Sequence, residues 1–375
     1  MSLHHDVVIS GAGIAGLAGL REMLRQGINA VALEQRTCAA DAGLAINLPG
    51  NAIASLHALG LAEALEARGR PVRRREYRTD QGRLLFAVDE AAFWGETLTP
   101  RCLRRGDLMM MLAAGVPEER IRRGIRVTGV QTQDAEVQVT TSLPDSLSTR
   151  LLVGADGVNS TVRQHCFDHE VPTAARLSSA SWRFMVSNPG VDCWTVWAGA
   201  KAMVHLLPVD NDQVYGWAAA LGSDRDTRDA TILGELKRRF PAPVVSAVNQ
   251  ALAQPQTLHY SPLEEVRLSR WGRPGVLLIG DAAHATAPVW AQGAALALED
   301  VIVLSRLLGS RENWTDVPAE YEQRRRARVD HVQTMTDRMS RAARLPTAVR
   351  NLLMPFLGPR SYGATYEPLK RSVDA

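Results

Sequence analysis

The sequence predicts an α/β chain: a parallel, doubly wound unit interleaved with a mostly antiparallel β-sheet and followed by C-terminal helices. Three observations predict it. Val7-Val-Ile-Ser10, a glycine-bearing turn and a helical-period segment to Gln26 precede a second apolar run, Asn29–Leu33, which is the pattern of a βαβ unit. Another short, wholly apolar run, Gly275-Val-Leu-Leu-Ile279, leads through a loop into a helical pattern at about Gly293–Leu308. Between them, residues 171–267 switch to short runs alternating with turns, as an antiparallel sheet does.

In chain order, Leu17, Leu20, Met23 and Leu24 share one helical face, and Gly27 ends that helix. Ile53, Leu56, Leu59, Leu61 and Leu65 predict a helix over Asn51–Arg68, with Gly60 its weak point. Residues 73–88 predict a hairpin turning at Asp80-Gln-Gly82. Gly106–Ala114 predicts a helix carrying Leu108, Met109 and Leu112 inward, its methionine run serving as core filler. Strands are expected at Ile125–Val127, Glu136–Thr140 and Arg150–Val153, with a polar loop at Pro144-Asp-Ser before the last. Further strands are expected at Trp182–Val186, Trp194–Trp197, Ala202–Val209 and Val214–Ala220, with a turn at Asp210-Asn-Asp212. Pro318–Met339 forms a long charged helix. After it, Leu345–Leu357 carries a stripe of Val349, Leu352, Leu353 and Phe356, expected to pack back on the body rather than lie on a membrane.

Composition narrows the function. With 375 residues, 46% hydrophobic and 22% charged, the chain is an ordinary globular protein of two or three domains. Its net charge is +3, and its densest basic run (Arg68, Arg70, Arg73, Arg74, Arg75, Arg78) reads as a solvated face, so no nucleic-acid partner is expected. Cys38, Cys102, Cys166 and Cys193 make no CxxC, which suits reduced thiols in a cytoplasmic protein. The start lacks a basic region typical of a signal peptide. The uncharged run Val7–Leu20 is short for a bilayer and broken by glycines, so no membrane span is expected. No His/Cys cluster has zinc spacing, so no metal is expected.

Three motifs carry chemistry. Gly11-Ala-Gly13-Ile-Ala15-Gly16 joins the first strand to its helix. There Gly11 permits the tight turn, Gly13 a close approach of backbone to a diphosphate, and Gly16 close helix–strand packing. Glu34 follows 21 residues after the middle glycine, where a carboxylate meets ribose hydroxyls and would repel an adenosine 2′-phosphate. The second motif is Gly154-Ala-Asp156-Gly157, continuing to Arg163. The third is Gly280-Asp281-Ala-Ala-His284, continuing through Pro288 to Gln292-Gly293 and Glu299-Asp300.

In this order and context the three motifs resemble those of the FAD-dependent aromatic hydroxylases, the single-component flavoprotein monooxygenases with the para-hydroxybenzoate hydroxylase fold. The resemblance covers most of the chain. It extends to Gly43-Leu-Ala-Ile-Asn-Leu-Pro-Gly-Asn51 and to Leu103-Arg-Arg105-Gly-Asp107-Leu108. It implies a Rossmann-like FAD-binding domain (1–72, 98–170 and 272–309), a substrate domain (73–97 and 171–271) and a C-terminal helical region (310–375).

The cofactor set so implied is Gly11, Gly13, Ala15, Gly16, Glu34, Arg36, Arg105, Val127, Asp156, Asp281, Gly293 and Ala294. Asp281 would accept from ribityl hydroxyls, and Arg105, with Arg104 as the substitute, would reach the diphosphate. Arg36 and Val127 would flank the adenosine end, although Val127 serves equally as a core residue. Asp156 and Gly157 resemble the motif placed near both FAD and transiently bound NAD(P)H; Asp156 is also a candidate helix cap. N–H groups of Gly293 and Ala294 would face the flavin N1/C2=O edge. Two departures stand out: Ala291 and Ala295 replace the family's usual glycine and asparagine, which predicts a stiffer loop and one lost hydrogen bond.

The implied activity uses NAD(P)H and O2 to hydroxylate an aromatic or other electron-rich small molecule through a flavin C4a-hydroperoxide. The substrate would lie between flavin and the 171–221 sheet. Trp182, Phe184, Trp197, His205, Tyr215 and Trp217 are candidate neighbours there, with core packing the blander role for most. No residue is fixed as catalytic; Pro288, His205 and Arg183 are the candidates, while His284 is read as structural. An NAD-dependent dehydrogenase would leave Gly280-Asp281 and Asp156-Gly157 unexplained. A halogenase would need a Trp-x-Trp-x-Ile-Pro run, and the chain has Trp194-Thr-Val-Trp197 at the wrong spacing. A non-catalytic FAD-binding redox protein is the remaining alternative.

Overall fold

The computed structural model describes residues 3–38, 44–133, 136–144, 146–167, 172–178, 180–221, 233–234 and 237–373. Gly43 and Asp145, named above, lie outside the described residues. The chain opens with β1 (Leu3–Ser10), α1 (Ile14–Arg25) and β2 (Ala30–Glu34), the expected βαβ unit, with Val7–Ser10 paired in parallel to Ala30–Leu33. β3 (Ala45–Leu48), α2 (Gly50–Ala58) and α3 (Ala62–Arg68) follow. The one helix expected over Asn51–Arg68 is therefore two. Gly60 adopts φ +73°, a left-handed conformation that ends α2.

β4 (Arg74–Thr79) and β5 (Leu84–Asp89) form the expected hairpin, and β6 (Arg101–Arg104) leads into α4 (Arg105–Ala113). In α4 the buried side chains are Leu108, Met111 and Leu112, while Met109 is only half-buried and Met110 is exposed. Met111, not Met109, completes the face of positions three and four apart. β7 (Ile121–Arg123), β8 (Val127–Gln133), β9 (Glu136–Thr141) and β10 (Leu147–Gly154) come next. Ile125 and Arg126, expected in a strand, are a joint before β8; Ile125 donates its N–H to Glu34 O at 3.0 Å.

After α5 (Thr161–Cys166) come β11 (Ala180–Ser187), β12 (Trp194–Ala198), β13 (Ala202–Pro208), β14 (Gln213–Ala220), α6 (Ala242–Ala253) and β15 (His259–Pro262). The chain ends with β16 (Gly272–Arg273), β17 (Val276–Leu278), α7 (Asp281–His284), α8 (Gly293–Gly309), α9 (Val317–Ala343) and α10 (Thr347–Tyr366).

Two large sheets result. The first runs β16-β17-β10-β1-β2-β7, with every pairing from β17 to β7 parallel, and β9 and β8 extend it antiparallel beside β10. The second runs β15-β11-β14-β13-β12-β4-β5. It is antiparallel except where β12 lies parallel to β4, the pairing that stitches the early hairpin into the later sheet.

Strand alternation gives this second sheet two unlike faces. Trp182, Phe184, Trp197, Val204 and Leu206 pack with Val244, Ala247 and Val248 of α6. Three of the six candidate pocket residues, Trp182, Phe184 and Trp197, are thus core. A Cβ at Gly216 would sit 2.0 Å from the Phe184 ring, so only glycine fits beneath it. The opposite face carries Met185, Met203, Tyr215 and Trp217 toward Ala287, Val289 and Ala291 of the first unit.

Two further expectations are overturned. Arg75 does not belong to a solvated face: it is 1% exposed, 2.7 Å from the equally buried Glu90, and stacked 3.7 Å from the Trp194 ring centre. The stripe on α10 does not pack back on the body. Leu352 and Phe356 are 70% and 67% exposed, while Arg350, Gly358, Tyr362 and Tyr366 supply the buried face. Aromatic contacts explain the choice, since Tyr362 and Tyr366 meet Phe93, Trp94 and Trp290 edge-on. Among the described residues, no helix is long and apolar enough to cross a membrane.

Candidate functional site

The ends of β1, β10 and β17 bring the three motifs together. Gly11 has φ +101°, and a Cβ there would lie 2.5 Å from Ala155 O and 2.9 Å from Asp156 Cα, so the first and second turns touch. A Cβ at Gly16 would fall 1.9 Å from Gly11 O. At Gly13 nothing stands within 4 Å of that position, and neither a side-chain cap nor an acidic residue satisfies the first turn of α1. These free N–H groups form a ready anion site. Glu34 is tied to the turn: Oε2 accepts from Ala12 N at 2.9 Å and Oε1 from Arg36 N at 3.0 Å. The Arg36 side chain is exposed, and Val127 is buried at the start of β8.

Asp156 spends its carboxylate at the start of α5, accepting from Ser160 Oγ (2.5 Å), Thr161 N (2.8 Å) and Val162 N (3.2 Å). Burial pushes its carboxyl up, and these donors pull it back only in part. The helix-cap role is therefore the one its contacts express. The fully buried Arg163 then donates to Ala282 O at 2.9 Å, locking the second turn to the third.

In the third turn Gly280 has φ +58°, and a Cβ would meet Ala15 Cβ at 3.1 Å. Asp281 is exposed, with Oδ1 3.8 Å from the position a Cβ on Gly293 would take. Arg105 lies near Asp281, Arg183, Tyr215 and Arg36. Burial lowers its pKa and Asp281 offsets this in part. Among the described residues no ion pair or hydrogen bond engages the Arg105 side chain. Arg104 instead points outward to Asp210 (3.3 Å) and Gln213 (2.6 Å), which leaves Arg105 as the one of the pair beside Asp281.

The loop before α8 is pinned by a pair of residues that sequence reasoning quoted without assigning a role. Asn51 and Gln292, both buried, exchange hydrogen bonds of 3.0 and 3.1 Å, and Asn51 also donates to Glu299 at 2.8 Å. Their separation of 241 residues hides the pairing, and only the amide types hinted at it. Ala291 has φ 55° and ψ 33°, the one non-glycine residue with positive φ among those described. Ala291→Gly is accordingly expected to stabilise the protein by about 1 kcal/mol in thermal unfolding, because it relieves left-handed strain. An unchanged or lower melting temperature contradicts this. Ala295 is fully buried in α8, while Gly293 and Ala294 are half-buried at its N-terminus.

His284 is structural. Its Nε2 lies 2.7 Å from Asp300 Oδ2, which also accepts from Gly280 N at 2.8 Å. Burial alone would raise the Asp300 carboxyl, but His284 and Arg325 hold it well below the usual range. A depressed carboxylate contributes stability above its unfolded pKa of about 4, and that contribution is lost as pH falls through the folded value. Asp300→Asn is thus expected to destabilise the protein at neutral pH and to flatten its loss of stability below about pH 4. Parallel acid-unfolding curves for both proteins would contradict the assignment.

Beside this cleft, Pro288 and Val289 face an apolar pocket also lined by Trp194, Val196, Met203, His205, Trp217, Met339, Arg350 and Met354. His205 and Trp217 line this pocket, whereas Tyr215 lies closer to Arg105 and Arg183. Trp194 was not foreseen; its Nε1–H donates to His205 Nδ1 at 2.9 Å. Burial, with Arg75 and Arg183 nearby, pulls the His205 pKa down to about 3. Arg183 is half-buried, and its Nε has no partner among the described residues. Among those residues, no three His, Cys, Asp or Glu side chains gather as metal ligands.

The arrangement fits a dinucleotide cofactor. Space opens above Gly13, and among the described residues neither the half-buried Arg105 cation nor the Asp281 carboxylate beside Gly293 makes a hydrogen bond or ion pair. The family described as FAD binding domain matches residues 4–338. The chain is 29% identical over 340 residues to the 2-heptyl-3-hydroxy-4(1H)-quinolone synthase of Pseudomonas aeruginosa, covering 87% of this chain and 86% of that protein. It is equally 29% identical over 339 residues to the FAD-dependent urate hydroxylase of Klebsiella pneumoniae, covering 86% of each. The crystal structure of Klebsiella pneumoniae HpxO complexed with FAD and uric acid superposes with a TM-score of 0.79 at 24% identity, over 98% of this chain and 92% of that one.

Proposed function

Since the chain belongs to the FAD binding domain family, among the FAD-dependent aromatic hydroxylases, we propose that it inserts one oxygen atom of O2 into a small aromatic ring at the expense of NAD(P)H. It is a flavoprotein monooxygenase, and FAD is its cofactor. The observation that carries the finer reading is the contact of three distant turns around one cleft, with an apolar pocket directly behind Pro288.

In this reading, Glu34 meets the adenosine ribose, and the N-terminus of α1 with Arg105 holds the diphosphate. Asp281 accepts from the ribityl chain. The N–H groups at Gly293 and Ala294 stabilise negative charge at the pyrimidine edge of the flavin. Held by these residues, FAD would supply the redox chemistry that couples NAD(P)H oxidation to O2 activation, with one oxygen atom entering the ring and the other leaving as water. Asp156, Gly157 and Arg163 keep the second turn in shape against the third. Pro288 and Val289 wall the pocket, and its apolar lining excludes water while the ring is held. The reading places the enzyme in the cytoplasm, where NAD(P)H is supplied.

The test is to supply FAD-loaded protein with NAD(P)H, ¹⁸O₂ and a panel of aromatic compounds, and to weigh the products. One ¹⁸O in a ring product is the expected result. NAD(P)H oxidation that yields only peroxide with every compound would overturn the reading.

A further inference from the structure

We propose that the pocket selects ring systems presenting a hydrogen-bond-accepting oxygen to the sheet, with His205 Nε2–H and Trp217 Nε1–H as the donors that read it. The inference rests on the hydroxylase reading and specifies the chemistry of its substrate.

The tautomer follows from the partner. An indole N–H can only donate, so the 2.9 Å bond from Trp194 Nε1 obliges His205 Nδ1 to accept. A neutral imidazole then carries its proton on Nε2. Neutrality is secured by burial and by Arg75 and Arg183, which together pull the ring far below the pH of any ordinary assay. His205 therefore keeps Nε2–H as a donor at all working pH values.

That donor is unused. His205 Nε2 is shielded from solvent and has no hydrogen-bond partner among the described residues, and the same holds for Trp217 Nε1 on a side chain only 5% exposed. The two residues are opposite neighbours on β13 and β14, with ring centres 5.1 Å apart, and both line the pocket. Two unsatisfied N–H groups on neighbouring, pocket-lining side chains are costly unless a ligand supplies the acceptor.

The other polar side chains around the pocket sharpen the selection. Arg78 is committed to Glu76 and to Gly82 O. Arg350 gives its terminal nitrogens to Ala198 O, Gly199 O and Ala343 O, which leaves only Nε, another donor. Tyr77 Oη accepts from Arg75. Among the described residues no carboxylate or amide side chain lines the cavity, so a ligand N–H or ammonium meets no side-chain acceptor of that kind from them. The fitting ligand is apolar in its body and carries a carbonyl or phenolic oxygen as acceptor.

A matched pair of probes tests this: 1-indanone and indane, of like size, differ in one carbonyl. FAD-loaded wild-type protein is titrated with each, following the flavin visible band and the heat of binding. Indanone is expected to bind about tenfold more tightly than indane. His205→Phe and Trp217→Phe should each shrink that ratio toward one while leaving FAD content unchanged. Equal affinities in the wild-type protein, no binding by either probe, or a ratio untouched by both substitutions would overturn the inference. A wild-type protein that takes up no FAD sinks the hydroxylase reading and this one together, whereas a flavin-loaded protein indifferent to the carbonyl sinks only this one.

Discussion

Arg325→Met is expected to destabilise the protein by about 3–5 kcal/mol, which for a chain of this size lowers the melting temperature by roughly 5 °C. Arg325 is fully buried, with Nε 2.8 Å from Asp300 and Nη1 3.0 Å from Glu299, both also buried. Methionine preserves much of the volume but leaves two carboxylates in the interior with less compensation. Arg328 still reaches Glu299 at 2.7 Å, so Asp300 loses the most. The consequence reaches the site, because Asp300 orients His284 and the Gly280 N–H in the third turn. Arg324→Met on the same helix is the control. Arg324 is about half exposed and pairs with Glu320 one turn away, a contact worth about 0.5 kcal/mol. Thermal unfolding of the two variants should separate them clearly, and equal melting temperatures would contradict the role given to the buried cluster.

Gly16→Val is expected to weaken FAD binding on the order of a hundredfold, about 3 kcal/mol. Even the Cβ would overlap Gly11 O at 1.9 Å, and that oxygen is backbone, so α1 itself must move away from β1. Gly13→Ala makes the informative contrast. Its Cβ meets nothing within 4 Å and its φ of −78° suits any residue, so the protein without cofactor keeps its stability. What the methyl group obstructs is the approach of a diphosphate to the turn. Gly16→Val should therefore lower both apoprotein stability and FAD affinity, and Gly13→Ala only the affinity. Unaltered flavin titrations for both variants would contradict the placement of the cofactor.

Much of this was legible in the chain because it depends on local pattern. The βαβ unit, the Gly82 hairpin and the strands of the second sheet each follow from periodicity and turn residues a few positions apart. Ranking Glu34 beside the first turn also needed only spacing. What escaped depends on contacts between distant residues. Nothing near Arg75 in sequence announces Glu90 and Trp194 as its enclosure, and the parallel pairing of β4 with β12 that builds it spans over a hundred residues. Asn51 and Gln292 hid for the same reason. The α10 stripe misled because amphipathicity shows that a helix has two faces but not which one finds a partner. There, Tyr362 and Tyr366, beyond the end of the expected helix, chose the buried side. In the pocket, alternation separated Trp182 and Phe184 from Arg183, but which face met the first unit was decided by α6 covering the other.

The most direct measurement is an equilibrium titration of apoprotein with FAD, read by flavin fluorescence, for the wild type and for Asp281→Ala. A single saturable site in the wild type, weakened at least about tenfold by loss of the carboxylate, is the predicted outcome. A wild-type chain that takes up no flavin, or an Asp281→Ala chain that binds it just as tightly, would contradict the convergence of the three turns on one cofactor.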